Sequence, residues 1–223
     1  MSAYFTLLFE MKKTPTSIHD FFSCLEKAGV PFKKSLYTTE NESFEDVIRL
    51  NQAYLDRNES SYTTEYISIE LKHEIFTDPV LFVGNDKRSK TFVVGLSLPE
   101  EELLADENGS FDPSVIIKNQ TPPSPREDLM EIDKSIAISL WTHTAALCVQ
   151  TFWEASDTPP AFYKIRRGIP PQCEPFAIVP CSVAKKSWKA KGQQIARDGL
   201  LIEEKGNWRN VFCDVDAWIQ VKP

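Results

Sequence analysis

The longest uncharged run of this chain, from Ser135 to Trp153, constrains its fold more than any other segment. These nineteen residues contain no Asp, Glu, Lys or Arg, and a helix needs about 20 mostly apolar residues to cross a bilayer. Seven of the nineteen are polar, including His143 and Gln150, which is too many for an isolated transmembrane helix. We therefore expect the run to lie in the interior of a globular fold, with no membrane partner.

The residues that precede this run predict where its helix begins. Ser124 and Glu127 have the S-x-x-E spacing of a capping box, and Pro125 stands at the position favoured for the first helical residue. Apolar residues then recur at helical spacing as far as Phe152. The pattern predicts one long buried helix from Pro125 to about Trp153. His143 falls on its core-facing side, where a structural role is expected.

The N-terminal segment has the pattern of a β-α-β-α sequence. A strand is expected from Tyr4 to Met11, a helix from Ser17 to Ala28 and a strand from Phe32 to Thr38. Ser43 then caps a second helix. From Glu65 to Ile75 apolar and polar residues alternate strictly, which predicts a half-buried strand.

The segments that follow predict an antiparallel sheet. Val80 to Val83 and Thr91 to Leu98 flank the turn-rich "GNDKRSK", which is typical of a hairpin. After the uncharged run, strands are expected at Ala161 to Arg166 and Phe176 to Pro180. A helix from Val183 toward Arg197 and a closing β segment from Leu200 to Val221 complete the pattern. The fold class is therefore α+β: an antiparallel or mixed sheet packed against helices, with a long buried central helix.

Composition divides the chain into three parts. Residues 1–111 form an acidic α+β half with 11 basic and 19 acidic residues, and residues 112–124 form a proline-rich connector. Residues 125–223 form a second α+β half with the long helix, and carry most of the 14 basic and 13 acidic residues beyond position 111. The halves are either two units or one continuous domain.

The charge and the cysteines indicate a partner class and a compartment. The net charge of −7 and the isoelectric point near 5.1 disfavour nucleic acid and anionic membranes. They favour a cationic protein partner. Five cysteines, an odd number without a C-x-x-C pair, predict reduced thiols and a cytoplasmic location.

Few residues have the spacing of a catalytic or metal site. Asp214 and Asp216 form a D-x-D pair, and Glu203 precedes a lysine, which together suggest a metal-dependent hydrolase or nuclease as an alternative. His73 lies on the apolar face of its strand, without further ligands at a recognisable spacing. We expect no catalytic residue, no bound metal and no cofactor.

A basic segment near the C-terminus allows two interpretations. In "AKKSWKAKGQQIAR", lysines surround Trp188, a combination that occurs in proteins that bind single-stranded nucleic acid. An amphipathic helix that buries Trp188 and leaves its lysines in water uses the same residues. We favour the amphipathic helix, because the net charge of the whole chain is negative.

In composition and layout the chain resembles the acidic, compact immunity proteins with which bacteria neutralise toxins. The resemblance lies in general character and in no motif. It implies a non-enzymatic bacterial protein that inhibits a toxin effector by occluding its active site through charge and shape. A structural or adaptor module is a further alternative. The expected partner-binding residues are the carboxylates in acidic loops and at element ends: Glu40, Glu42, Glu45, Asp46, Glu100, Glu101, Glu102, Asp106 and Glu107.

Overall fold

One antiparallel sheet with helices on both faces forms most of the described chain. The computed structural model describes residues 4–35, 43–56, 65–71, 79–85, 90–99, 103–105, 124–153 and 158–204. The strands are β1 (Tyr4–Lys12), β2 (Phe32–Ser35), β3 (Glu65–Leu71), β4 (Val80–Asn85), β5 (Thr91–Pro99), β6 (Leu104–Ala105), β7 (Ser124–Pro125), β8 (Ala146–Trp153), β9 (Phe176–Pro180), β10 (Gln193–Ile195) and β11 (Gly199–Glu203). The helices are α1 (Ser17–Lys27), α2 (Phe44–Asp56), α3 (Glu127–His143), α4 (Phe162–Arg166) and α5 (Lys186–Lys189).

The sheet joins strands from both parts of the chain. Its order is β10-β11-β9-β8-β1-β5-β4-β3-β2, while β6 and β7 pair separately. The central strand β1 pairs antiparallel with β5 on one side and with β8 on the other. Strands on either side of the 112–124 connector are therefore hydrogen-bonded to the same strand. The expected hairpin of β4 and β5 is confirmed, and β3 pairs antiparallel with β4.

The first face of the sheet carries the larger core. Phe5, Leu7, Phe9 and Met11 alternate along β1 and are fully buried against α1, α2 and α3. The Phe9 ring packs edge-on against Phe21 of α1, with ring centroids 5.4 Å apart. Burial of each such ring stabilises the fold by roughly 2 to 3 kcal/mol. This face fixes the positions of the three longer helices.

The second face carries a smaller core over β8, β9 and β11. Its buried residues are Cys148, Ile165, Cys173, Ala177, Val179, Leu200 and Ile202. Glu10 lies between Phe9 and Met11 on β1, so its side chain points to this second face. The Glu10 Oε2 accepts a hydrogen bond from the Phe162 backbone N–H at 2.6 Å. A carboxylate thus caps the N-terminus of α4 and holds this short helix on the second face.

The long buried central helix expected from Pro125 to Trp153 is wrong. Helix α3 ends at His143, Thr144 is extended with φ −117° and ψ 174°, and Ala146–Trp153 is strand β8. Strand β8 lies inside the sheet with a core on each face, and such strands are uncharged along their whole length. The lack of charge reflects this burial on two faces and not a helical period. Helix α3 exposes one side, including Glu127 and Glu131.

Two further expectations in the C-terminal part are wrong. The strand expected at Ala161 to Arg166 is helix α4, and the helix expected from Val183 to Arg197 is helical only over Lys186–Lys189. A Cβ on Gly192 would lie 2.8 Å from the Leu201 carbonyl oxygen. The chain at this glycine therefore lies directly beside β11 and continues as β10. The expected strands at Phe176 and Leu200 are confirmed as β9 and β11.

The first part of the chain follows its pattern closely. The strand from Tyr4 and the helix from Ser17 are confirmed, as is the helix after Ser43. The expected β segment beyond residue 204 lies outside the described residues. Among the described helices, none is long and apolar enough to cross a membrane.

Candidate functional site

An open groove of about 430 Å³ lies between α1 and α2, and we call it the α1–α2 groove. Both helices pack their apolar sides on the first face of the sheet, and His19 of α1 lies beside the exposed side of α2. The groove is lined by His19, Glu45, Ile48, Arg49, Gln52, Ala53 and Asp56. The lining residues of α2 recur every three or four positions and so form one stripe of that helix.

The α2 N-terminus is held by a cap that involves Asp46. Ser43 Oγ accepts the Asp46 backbone N–H at 3.2 Å and donates to Asp46 Oδ2 at 2.8 Å. The expected cap at Ser43 is therefore confirmed. Arg49 Nη2 donates to Asp46 Oδ1 at 2.9 Å. These hydrogen bonds, from Arg49 first and then from Ser43, lower the pKa of Asp46 below its usual value. Asp46 is thus engaged within its own helix.

Carboxylates outnumber cations on these two helices. Helices α1 and α2 together contain five Asp and Glu residues against one lysine and one arginine. Glu45 and Asp56 are exposed beside the groove, and Gln52 Nε2 donates to Asp56 Oδ1 at 3.1 Å. Ile48 is half-buried in the groove, and Leu50 nearby on α2 is 42% exposed. The α1–α2 groove therefore combines apolar contact area with a negatively charged border.

The acidic residues expected to bind a partner divide into two groups. Glu45 lines the α1–α2 groove, and Asp46 lies next to it in the cap of α2. The others lie outside the described residues: Glu40, Glu42, Glu100, Glu101, Glu102, Asp106 and Glu107. The groove residues Gln52 and Asp56 were missed, although their helical spacing from Glu45 is visible in the sequence.

The histidines do not form a chemical site in the described part of the chain. His143 is the last residue of α3 and is exposed, so its expected core-facing position is wrong. Leu140 and Trp141, in the same turn, fill the core instead. His19 lies exposed on α1, and His73 lies outside the described residues.

The buried cysteines are unsuited to nucleophilic chemistry. Burial, with a smaller effect of the nearby Glu10 charge, raises the pKa of Cys148 well above its usual value. Burial also raises the pKa of Cys173 to about 12. Only the thiolate is an effective nucleophile, and both side chains remain protonated thiols at neutral pH.

The described part of the chain does not bring together the carboxylates of the hydrolase alternative. Glu203 Oε1 accepts a hydrogen bond from Lys134 Nζ at 2.9 Å, which links β11 to α3. The pKa of Lys134 is raised. Burial alone would lower it, but hydrogen bonds to Glu131 and Glu203 have the larger combined effect. Asp214 and Asp216 lie outside the described residues. Within the described ranges, no group of three or more His, Cys, Asp or Glu side chains is placed to hold a metal ion.

Comparison of the chain with protein-family models, with curated proteins and with solved structures finds no match. The case for a function therefore depends on the geometry and the charge of this chain.

Proposed function

We propose that this chain is a cytoplasmic binding protein of the immunity type, which inhibits a basic toxin effector by covering its active site. The observation that carries the proposal is the α1–α2 groove, where Glu45 and Asp56 border the apolar side chain of Ile48. A cationic protein surface matches this arrangement in charge. Cys24, Cys148 and Cys181 are free thiols, which supports a reducing compartment.

The two kinds of side chain in the groove have different effects on binding. Exposed carboxylates raise the rate of association with a cationic partner, and salt weakens their effect. Apolar side chains that become buried at an interface slow dissociation. Ile48 supplies such a contact beside the carboxylates. Asp46 adds less to the external field, because Arg49 neutralises it within α2.

The proposal can be tested with the product of the neighbouring gene as the candidate toxin. Glu45→Lys with Asp56→Lys reverses two groove charges. Glu127→Lys with Asp128→Lys makes the same change in the exposed first turn of α3 and serves as the matched control. Association rates are measured by surface plasmon resonance at low and at physiological ionic strength. Growth of cells that express the toxin with each variant gives the functional result.

We expect the groove variant to associate about tenfold or more slowly at low salt, with a smaller difference at higher salt. It should also protect cells poorly, whereas the α3 control should behave like the wild type. Equal association rates for all three proteins would exclude the α1–α2 groove as the binding surface. Failure of the wild type to bind the toxin or protect the cells would refute the immunity assignment itself.

A further inference from the structure

A cationic surface lies on the second face of the sheet, across from the α1–α2 groove. Between Ala161 and Lys191 the chain has seven basic residues and one acidic residue. The basic residues are all exposed: Lys164, Arg166, Arg167, Lys185, Lys186, Lys189 and Lys191, of which Lys191 is paired with Glu204 at 3.5 Å. The acidic residue, Glu174, accepts hydrogen bonds from Gln172 Nε2 at 2.5 Å and from the Trp153 backbone N–H at 3.3 Å. Its charge is thus used within the fold.

The two short helices form one continuous part of this cationic surface. Helix α4 ends at Arg166, the following Gly168 has φ +95°, and the Ile169 N–H donates to the Lys164 carbonyl at 3.1 Å. A Cβ on Gly168 would lie 2.5 Å from Lys185 Cε and 2.8 Å from its Nζ. The Lys185 side chain therefore lies against the end of α4. Cations from segments about twenty residues apart are neighbours here.

Aromatic and apolar side chains lie exposed among these cations. Tyr163 is 55% exposed, with the Arg167 guanidinium 5.6 Å from its ring centroid, and Ile169 is 49% exposed. Trp188 is half-buried, with Lys185 Nζ 5.8 Å from its ring. Trp188 packs against the second core while the lysines around it are exposed, so the expected amphipathic arrangement is confirmed in part, in a helix of only Lys186–Lys189. The cationic surface contains the elements of a site for unpaired bases, namely cations and an accessible ring.

The negative charge of the whole chain does not cancel this surface. The carboxylates of α1 and α2 belong to the first face, and α4 and α5 belong to the second. Packed layers of secondary structure lie about 10 Å apart, so about 20 Å separates the two helical layers. The Debye length at physiological salt is about 8 Å. The acidic helices are therefore largely screened from a ligand at α4 and α5.

We propose that the cationic surface of α4 and α5 binds the phosphodiester backbone of a single-stranded nucleic acid. Arg166, Arg167 and Lys185 would contact phosphates, and arginine forms paired hydrogen bonds with phosphate oxygens. Tyr163 would stack on one base through the ring face that Arg167 leaves open. Because stacking tolerates every base, the binding should show little sequence preference. This activity uses the face opposite the α1–α2 groove and is independent of the proposed toxin inhibition.

Fluorescence anisotropy with a labelled single-stranded DNA of about 20 nucleotides tests this inference. Arg166→Glu with Arg167→Glu reverses two charges on the cationic surface. Lys27→Glu with Lys90→Glu makes the same change in net charge at exposed positions elsewhere and is the matched control. Tyr163→Ser removes the exposed ring alone. Circular dichroism checks that each variant is folded.

We expect the arginine variant to bind at least about tenfold more weakly and the lysine control to lose less than about threefold. Tyr163→Ser should weaken binding by about fivefold or more. With about three phosphates contacted, wild-type affinity should fall with salt with a log–log slope near −2, and the arginine variant should have a shallower slope.

Three results would overturn the inference. The first is no anisotropy change with about 100 μM protein in about 50 mM salt, because even non-specific binding is detectable under those conditions. The second is equal weakening by the arginine and the lysine variants, which would indicate a response to net charge alone. The third is binding to phosphatidylserine vesicles without binding to the oligonucleotide, which would assign the surface to an anionic membrane.

Discussion

Replacing Arg197 with alanine should lower the free energy of unfolding by about 2 to 4 kcal/mol. Arg197 Nη1 donates to the Trp141 carbonyl at 2.6 Å and to the Thr144 carbonyl, and Nη2 donates to the Ala146 carbonyl at 3.1 Å. These carbonyls lie at the end of α3 and the start of β8. Arg197 thus holds the helix-to-strand transition that the sequence pattern did not predict.

The expected magnitude follows from these contacts. Each hydrogen bond contributes about 1 kcal/mol net, or more because the donor is charged. The guanidinium also lies 5.0 Å from the Trp141 ring centroid, a contact that contributes about 0.5 to 1 kcal/mol at an exposed site. A cation at a helix C-terminus adds a favourable dipole interaction. Because Arg197 is partly exposed, water would replace some of these interactions in the variant, which keeps the loss below their sum.

The backbone of Arg197 allows a sharper comparison. Its φ of +56° is in the left-handed region, which costs a residue with a Cβ roughly 1 kcal/mol. Alanine keeps this strain, whereas glycine removes it. Arg197→Gly should therefore be about 1 kcal/mol more stable than Arg197→Ala, although both lack the hydrogen bonds. Arg197→Lys keeps the charge but loses the planar fork, and should recover less than half of the loss.

Urea unfolding followed by tryptophan fluorescence measures these differences, with the m-value checked for constancy. Arg166→Ala, which removes an exposed arginine from α4, is the control and should change stability by less than about 0.5 kcal/mol. A loss below about 0.5 kcal/mol for Arg197→Ala would refute the role given to these hydrogen bonds. A glycine variant less stable than the alanine variant would refute the argument from strain.

Three further predictions concern other parts of the fold. Gly199→Ala should destabilise the protein by about 1 to 3 kcal/mol in the same assay, because its Cβ would lie 2.5 Å from Nε1 of the buried Trp141 side chain. The pKa of Asp46, measured by carboxyl-carbon NMR, should lie below its usual value and should rise in Arg49→Gln. Because the pKa is lowered in the folded state, the stability that this carboxylate contributes is present above the usual Asp pKa. That stability is lost as the pH falls through the folded-state pKa. Cys173, with a pKa of about 12, should resist iodoacetamide at pH near 8 until urea unfolds the protein, as mass spectrometry would show.

The first part of the fold could be predicted because the large apolar side chains of each element recur with the period of its backbone. Strand β1 places Phe5, Leu7 and Phe9 in the larger core and Thr6, Leu8 and Glu10 on the other face. The apolar stripe of α1 has helical spacing and ends at Gly29, which has φ +84°. In such elements the period of burial and the period of the backbone agree.

The uncharged run gave no such period, because its two halves are buried in different ways. Helix α3 buries one side, whereas β8 is covered on both. One local signal was present: Val149, Thr151 and Trp153 are β-branched or aromatic and favour a strand, whereas the residues before His143 include Ala137 and Leu140. The register with β1, which pairs Phe5 with Trp153, supplies the hydrogen bonds that stabilise this strand.

The candidate sites show the same limit on what sequence can predict. Glu45 was identified from the number of acidic residues near it in the sequence. Most of its neighbours in the groove lie on the same helix. The lysines around Trp188 were visible in the sequence, but their contact with the end of α4 was not, because Gly168 and Lys185 become neighbours only after the chain passes through β9. When a strand lies between two contacting segments along the chain, neither segment has a periodic sequence pattern that reveals the contact.

The net charge of the chain averages over two surfaces that a ligand would meet separately. Strand β1 directs Phe9 to the first core and Glu10 to the second face, and Glu10 holds α4 in place there. The sheet thereby keeps the acidic and the cationic helices on opposite sides, farther apart than the Debye length. Salt therefore screens the charges of one side from a ligand on the other. The net charge of −7 therefore affects the solubility and the long-range attraction of the whole chain. It does not determine which ligand binds to either face. It follows that Glu45→Lys with Asp56→Lys should leave oligonucleotide binding largely unchanged at physiological salt, and that Arg166→Glu with Arg167→Glu should leave association with a basic protein largely unchanged.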